Sequence, residues 1–199
     1  MSLFLGPIHY WLYNKIDLQN KIVDNIIEKL NIKDINNYLD NNFGYLENKP
    51  LEDMINTENI HGWLQEKVNV VENRLAYVVK YALQQNNDNL QIIKGIFYNF
   101  GKNINVNGDK NDATIIFKTI DDNLLDGMPC DRAKVILEKS YDKVIFERKI
   151  CVHKKYWDNM EIDVNIYYDL VNEFIFGILS NTKFTIKKDN NIFEIYENL

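Results

Sequence analysis

The sequence predicts an α+β fold: an N-terminal helical layer packed on a mostly antiparallel sheet of four or five strands, with one crossing helix. Three observations predict it. The first hundred residues repeat apolar side chains at three- and four-residue spacing, the signature of helices with one buried face. The last ninety contain period-two alternation and short β-prone runs joined at turn residues. Between them, residues 102–112 (KNINVNGDKND) are rich in turn formers. With 199 residues, the chain suits one domain of a helical half, 1–101, and a mixed half, 112–199.

Residues 7–30 read as the first long helix. Pro7 suits its first position, where the missing N–H is no loss. Leu12, Ile16, Val23, Ile26, Ile27 and Leu30 supply its apolar stripe. A short helix over 33–42 opens at Asp34 and stops at Asn41-Asn42-Phe43-Gly44, and Pro50 to Ile55 reads as another helical turn. The strongest helix runs from about Ile60 to Leu83, with Thr57 or Asn59 as cap and Leu64, Val68, Val71, Leu75, Val78, Val79 and Ala82 buried. Another covers about Leu90 to Phe100 and closes at Gly101.

In the second half, Ala113 to Ile120 reads as a strand from its β-branched content. Cys130 to Lys139 fits two descriptions, a helix with Pro129 at its first position or a strand turned back at Ser140-Tyr141-Asp142; the strand is preferred. Lys143 to His153 alternates, with Val144, Phe146, Arg148, Ile150 and Val152 on one face and Ile145, Glu147, Lys149, Cys151 and His153 on the other. A helix over 163–179 follows, and Lys183 to Lys188 pairs with Ile192 to Glu197 in a hairpin turning at Asp189-Asn190-Asn191.

Composition narrows the function. A net charge of −6 and the absence of a Lys/Arg stripe argue against nucleic acid as a partner. No apolar stretch is long enough to span a bilayer, and the start, Met1 to Pro7, lacks the basic region and cleavage site of a signal peptide. With only two Cys, no disulfide framework is expected, and a cytoplasmic protein is the expectation. Aromatics at 13% suit a ring-lined pocket or a large core. Nothing in the residues specifies a homodimer.

Three His and two Cys occur. If 130–139 pairs with 143–150, the hairpin ends bring Cys130, Asp131, Cys151 and His153 together. A metal set of Cys130, Cys151 and His153 would favour zinc or iron. A catalytic set would use Cys130 as nucleophile, His153 as base and Asp131 to orient the base. Against this stands the commoner role of Cys as a small buried hydrophobe. His9 and His61 fall on the apolar stripes of the two long helices, near Trp11 and Trp63, and could face one cofactor such as haem or serve as core-edge residues. Gly95 to Lys102 lacks the spacing and the Ser/Thr of a phosphate-binding loop. Asp121, Asp122 and Asp126 read as solvated loop carboxylates. Two functions remain: a Cys/His site for a small molecule or metal, with hydrolysis as its default reaction, or a non-catalytic ligand-sensing or interaction domain with an aromatic-lined pocket.

Overall fold

A computed structural model describes residues 4–198; Met1 to Leu3, the first part of the segment considered above as a leader, lie outside them. The fold is α+β. Helices α1 (Pro7–Lys29), α2 (Ile35–Phe43), α3 (Leu51–Met54), α4 (Ile60–Gln85), α5 (Asn89–Lys102) and α6 (Ala113–Asn123) come first. Strands β1 (Lys134–Lys139) and β2 (Lys143–Arg148), helices α7 (Lys154–Asn159) and α8 (Asn165–Leu179), and strands β3 (Phe184–Asp189) and β4 (Ile192–Glu197) follow. Among the described residues the strands form one antiparallel sheet in the order β1-β2-β4-β3. No helix among them is long and apolar enough to cross a membrane.

The N-terminal helices start where their caps dictate. The His9 ring reaches back one turn, its Nδ1 accepting from the Gly6 N–H at 2.9 Å. Asn59 Oδ1 accepts from the Gly62 N–H at 3.1 Å and opens α4. Asp34 precedes α2 but lies in the left-handed region at φ 60° and caps nothing with its side chain. Asp189 and Ile192 end the two strands of the last hairpin, which turns with Asn190 at φ 53°.

Two departures from expectation matter. Ala113 to Ile120 is not a strand but the body of α6. Asp112 Oδ1 caps it by accepting from the Thr114 N–H at 2.8 Å. Ala113, Ile116, Phe117 and Ile120 are its buried residues, a helical period that outweighs β-branched content. The strand expected over Lys143 to His153 ends at Arg148. Its ladder closes where the Lys149 N–H donates to the Ala133 carbonyl at 2.8 Å. Beyond that point β1 has no further residues to offer, because Pro129–Asp131 forms a single 3-10 turn and Arg132 turns left-handed at φ 50°. His153 therefore stands at the residue before α7, a helix the alternation does not reveal, with no side-chain cap bond, and the shared strand face of Cys151 and His153 does not exist. The segment 130–139 is a 3-10 turn followed by a strand, so Cys130 belongs to neither a strand nor an α-helical first turn.

The sheet packs on α6 and α8, and these pack on α1 and α5. One apolar cluster collects residues of α1, α4, α5, α6 and α8 with Val144, Phe146, Phe184, Phe193 and Ile195 of the sheet. A smaller cluster joins Leu12 and Ile16 of α1 and Leu64, Val68 and Val71 of α4 to Leu125 and Met128. Helices α5 and α8 touch backbone to backbone. A Cβ on Gly177 would lie 2.1 Å from the Tyr98 carbonyl oxygen, and one on Gly101 would lie 2.0 Å from that of Phe174.

That contact separates two glycine substitutions. Gly177→Ala is expected to cost about 3 kcal/mol or more, since backbone must part to admit a methyl group. Gly95→Ala, on an exposed stretch of α5 with nothing within 4 Å, is expected to stabilise by roughly 0.5–1 kcal/mol. Urea unfolding of both variants checks the pair.

A buried charge chain between two clefts

Charged side chains stand on buried helix faces, and three of them bear on the site. Glu72 of α4 is 1% exposed, and Lys15 of α1 is 3% exposed. His153, at the start of α7, is 1% exposed. Lys15 sits between Leu12 and Gln19 at helical spacing, and Glu72 between Val68 and Leu75, so both occupy stripe positions where apolar residues are the norm.

Glu72 and His153 begin a chain of alternating charge. Glu72 Oε1 accepts from Gln19 Nε2 at 3.1 Å, and its Oε2 accepts from His153 Nδ1 at 3.0 Å. The other ring nitrogen, Nε2, donates to Asp126 Oδ1 at 3.3 Å. Asp126 Oδ2 meets Lys134 Nζ at 3.2 Å, and that amine also donates to Asp121 Oδ1 at 2.7 Å. The Tyr167 ring lies 4.0 Å from the imidazole, centroid to centroid, and its hydroxyl donates to the Leu125 carbonyl at 3.1 Å.

The loop carrying Asp126 is held by a local clasp. Asp131 Oδ2 accepts from the Met128 N–H at 2.8 Å, and the Asp131 N–H donates to the Met128 carbonyl at 2.9 Å. Gly127 lies beneath at φ +76°, where an added Cβ would stand 2.5 Å from Asp131 Oδ2. Asp131 thus shapes the loop and does not orient His153.

The chain sets the protonation of its members. Burial opposes charge on His153, but the carboxylates of Glu72 and Asp126 overcome it and hold the imidazolium pKa up at about 9. Burial likewise opposes charge on Asp126, yet its bond to His153 and the Lys134 ammonium keep it well below the usual carboxylate range. Lys134 pays a similar desolvation cost, and Asp126 and Asp121 still raise it. Lys15 differs. Burial pushes its ammonium down to about 8, and Asp121 offsets only part of that while Lys134 adds to it.

Two clefts flank the loop 126–132. The first, about 250 Å³, is lined by Gln65, Glu72, Asp131, Cys151, His153 and Tyr156 among others. The second, about 200 Å³, carries Trp11, Lys15, Asp121, Asp126, Arg132 and Lys134. Lys15 Nζ stands 3.3 Å above the centre of the Trp11 ring, and Trp11 Nε1 donates to Asp122 Oδ1 at 2.9 Å. Among the described residues Lys15 has no hydrogen-bond or ion-pair partner.

The residues singled out in the sequence are partly brought together. Asp131, Cys151 and His153 line the first cleft; Cys130 is exposed and lines neither. Cys151 is also exposed, its sulfur accepting from the Tyr168 hydroxyl at 2.8 Å. Among the described residues no group of three or more His, Cys, Asp or Glu side chains could hold a metal ion, so Cys130, Cys151 and His153 are not assembled as a ligand set. His153, charged and bonded through both nitrogens, has no free position from which to act as base for a thiol. His9 and His61 do meet, with ring centroids 5.6 Å apart, but neither lines the two clefts. Asp126 is not a solvated loop carboxylate; its side chain is buried in the chain. Glu72, Lys15 and Lys134 were not singled out, although Glu72 and Lys15 were visible as charges on apolar stripes.

His153→Ala would leave Glu72 and Asp126 buried without their shared cation, and a loss of about 3–5 kcal/mol is expected in urea unfolding. The pH dependence follows from the raised pKa. The ordinary value is 6.5 and the folded value about 9, so the stabilisation is complete below the first and lost as pH rises through the second. The stability difference between wild type and His153→Gln should therefore shrink across that window; a difference that stays constant contradicts the assignment. No family model, curated protein or solved structure matches this chain.

Proposed function

We propose that this chain is a small-molecule-binding domain whose ligand carries a carboxylate and occupies the cleft of Trp11, Lys15, Arg132 and Lys134. Of the two functions left open by the sequence, this is the binding-domain form. The observation that carries it is Lys15, a buried residue that lines a cleft and, among the described residues, has no ion-pair partner. A buried lysine costs stability unless something compensates its charge. A Met or Leu at that position would fill the α1 stripe without the cost. The cleft presents three cations, Lys15, Arg132 and Lys134, against two carboxylates. Both carboxylates already bind Lys134, and one of them also binds His153. An acidic ligand supplies the missing partner, which suits a chain whose overall charge is negative only if the site is locally positive.

The size of the cleft sets the scale of the ligand. At about 200 Å³ it is below the roughly 300–1,000 Å³ of sites for drug-sized molecules, so a compact acid fits better than a nucleotide or a peptide. Trp11 offers a flat apolar wall beside the amine. Hydrolysis by Cys130 and His153 has no support in this geometry, since the thiol lies outside both clefts and the imidazole is committed to two carboxylates.

Lys15→Met tests the reading through two opposite effects. Without ligand, the variant is expected to be more stable than wild type by up to about 3 kcal/mol below pH 8. The sign follows from the depressed pKa: the unfolded chain holds the Lys15 proton up to 10.5 and the folded chain only up to about 8, so the penalty disappears as pH rises between them. With ligand, wild type gains stability and the variant does not. Thermal unfolding in the presence of glyoxylate, pyruvate, succinate and acetate reads both. A wild type indifferent to every acid in the panel contradicts the reading.

A further inference from the structure

We infer that Lys15 is a nucleophile that forms an imine with a carbonyl-bearing acid, an aldehyde acid or 2-oxo acid, bound in this same cleft. The inference rests on the reading of the cleft as a carboxylate site and adds covalent chemistry to it.

Geometry supplies the first support. Among the described residues Lys15 Nζ has no hydrogen-bond or ion-pair partner, and it lines a cleft large enough for a few heavy atoms. The Trp11 ring lies 3.3 Å from the amine and lines the same cleft, an apolar surface beside the nucleophile. Arg132, at the same cleft and without an ion-pair partner among the described residues, can hold a carboxylate in bidentate fashion. Amine and guanidinium thus address the two functional groups of one small molecule.

The charge environment supplies the second. Lys15 faces Asp121 and Asp122 from α6, Asp126 from the loop, and Lys134 from β1, and burial still brings its pKa down to about 8. About a tenth of it is then neutral at pH 7, against about one part in three thousand for an ordinary lysine. A desolvated lysine in a partly apolar site is the usual setting for Schiff-base chemistry.

The step balances without an external redox partner. The nitrogen lone pair adds to the carbonyl carbon while the C=O π pair moves to oxygen. A proton passes from nitrogen to that oxygen, giving a carbinolamine. Asp121 lines the cleft and, of the groups around Lys15, has the strongest charge interaction with it, so it can carry the proton between the two atoms. The nitrogen pair then forms C=N as the C–O bond breaks, the remaining N–H proton passes through Asp121 to the departing hydroxyl, and water leaves a neutral imine.

Glyoxylate with sodium cyanoborohydride tests the inference on the full chain, since reduction of the imine fixes a carboxymethyl group on the reacting lysine. Digestion and mass spectrometry locate it. The expected result is modification of Lys15 at least about tenfold faster than any other lysine at pH 7, a rate that rises toward pH 8 with the neutral amine. Lys15→Met, expected to fold, should retain only the slow background. Labelling spread over surface lysines, with Lys15 no faster, overturns the inference. If glyoxylate still raises the thermal stability of wild type in that case, the carboxylate reading stands and only the imine falls; if it does not, both fall.

Discussion

His153 is a cation held between two carboxylates in the interior, and much of the arrangement around it follows from that bond pair. Its two nitrogens join Glu72 on α4 to Asp126 on the loop after α6. Asp126 passes the alternation to Lys134 at the start of β1, and Lys134 passes it to Asp121 on α6. Elements distant in sequence are thereby tied by contacts that tolerate little misalignment, because each buried charge depends on the next for its solvation. Apolar packing would hold the same elements together more cheaply, but it would not specify where the loop 126–132 must lie. We take the fixing of that loop, and hence of the two clefts on either side of it, as the structural result of the chain.

Lys15 stands beside this chain without joining it. The neighbouring carboxylates are occupied, and the amine rests on Trp11. The contrast between Lys134 and Lys15 is instructive: both are desolvated, but contact with Asp121 and Asp126 raises the first while burial lowers the second. One lysine is therefore a structural cation and the other a group whose charge is held at a cost. A buried group of this kind beside a cleft is a functional-site candidate, and the proposed carboxylate site rests on it.

The fold was largely legible in the sequence because its helices and final hairpin bury one face each. The stripe of α4 and the turn at Asn190-Asn191 carry their periods openly. Ala113 to Ile120 misled because Ile115, Ile116 and Ile120 favour strands locally, while the decisive signals were the cap at Asp112 and the spacing of Ala113, Ile116, Phe117 and Ile120. The site was legible only in part. His153 drew notice as one of three histidines, but its partners depend on a helix start at Lys154 that alternation in the preceding strand concealed. Glu72 and Lys15 announced themselves as charges where apolar residues belong; what they face is decided by tertiary packing across more than fifty residues of sequence. Cys130 and Cys151 were brought together by a register that a 3-10 turn and the end of β2 do not allow.

The buried charge chain depends on the ionisation state of His153, and nitrogen NMR of the imidazole reads it directly. In protein labelled with nitrogen-15, both ring nitrogens should show the shifts of a protonated imidazolium at pH 7 and should begin to titrate only toward pH 9. A neutral tautomer at pH 7, with one unprotonated nitrogen and a titration at or below the ordinary 6.5, would contradict the buried charge chain and the positioning of both clefts that depends on it.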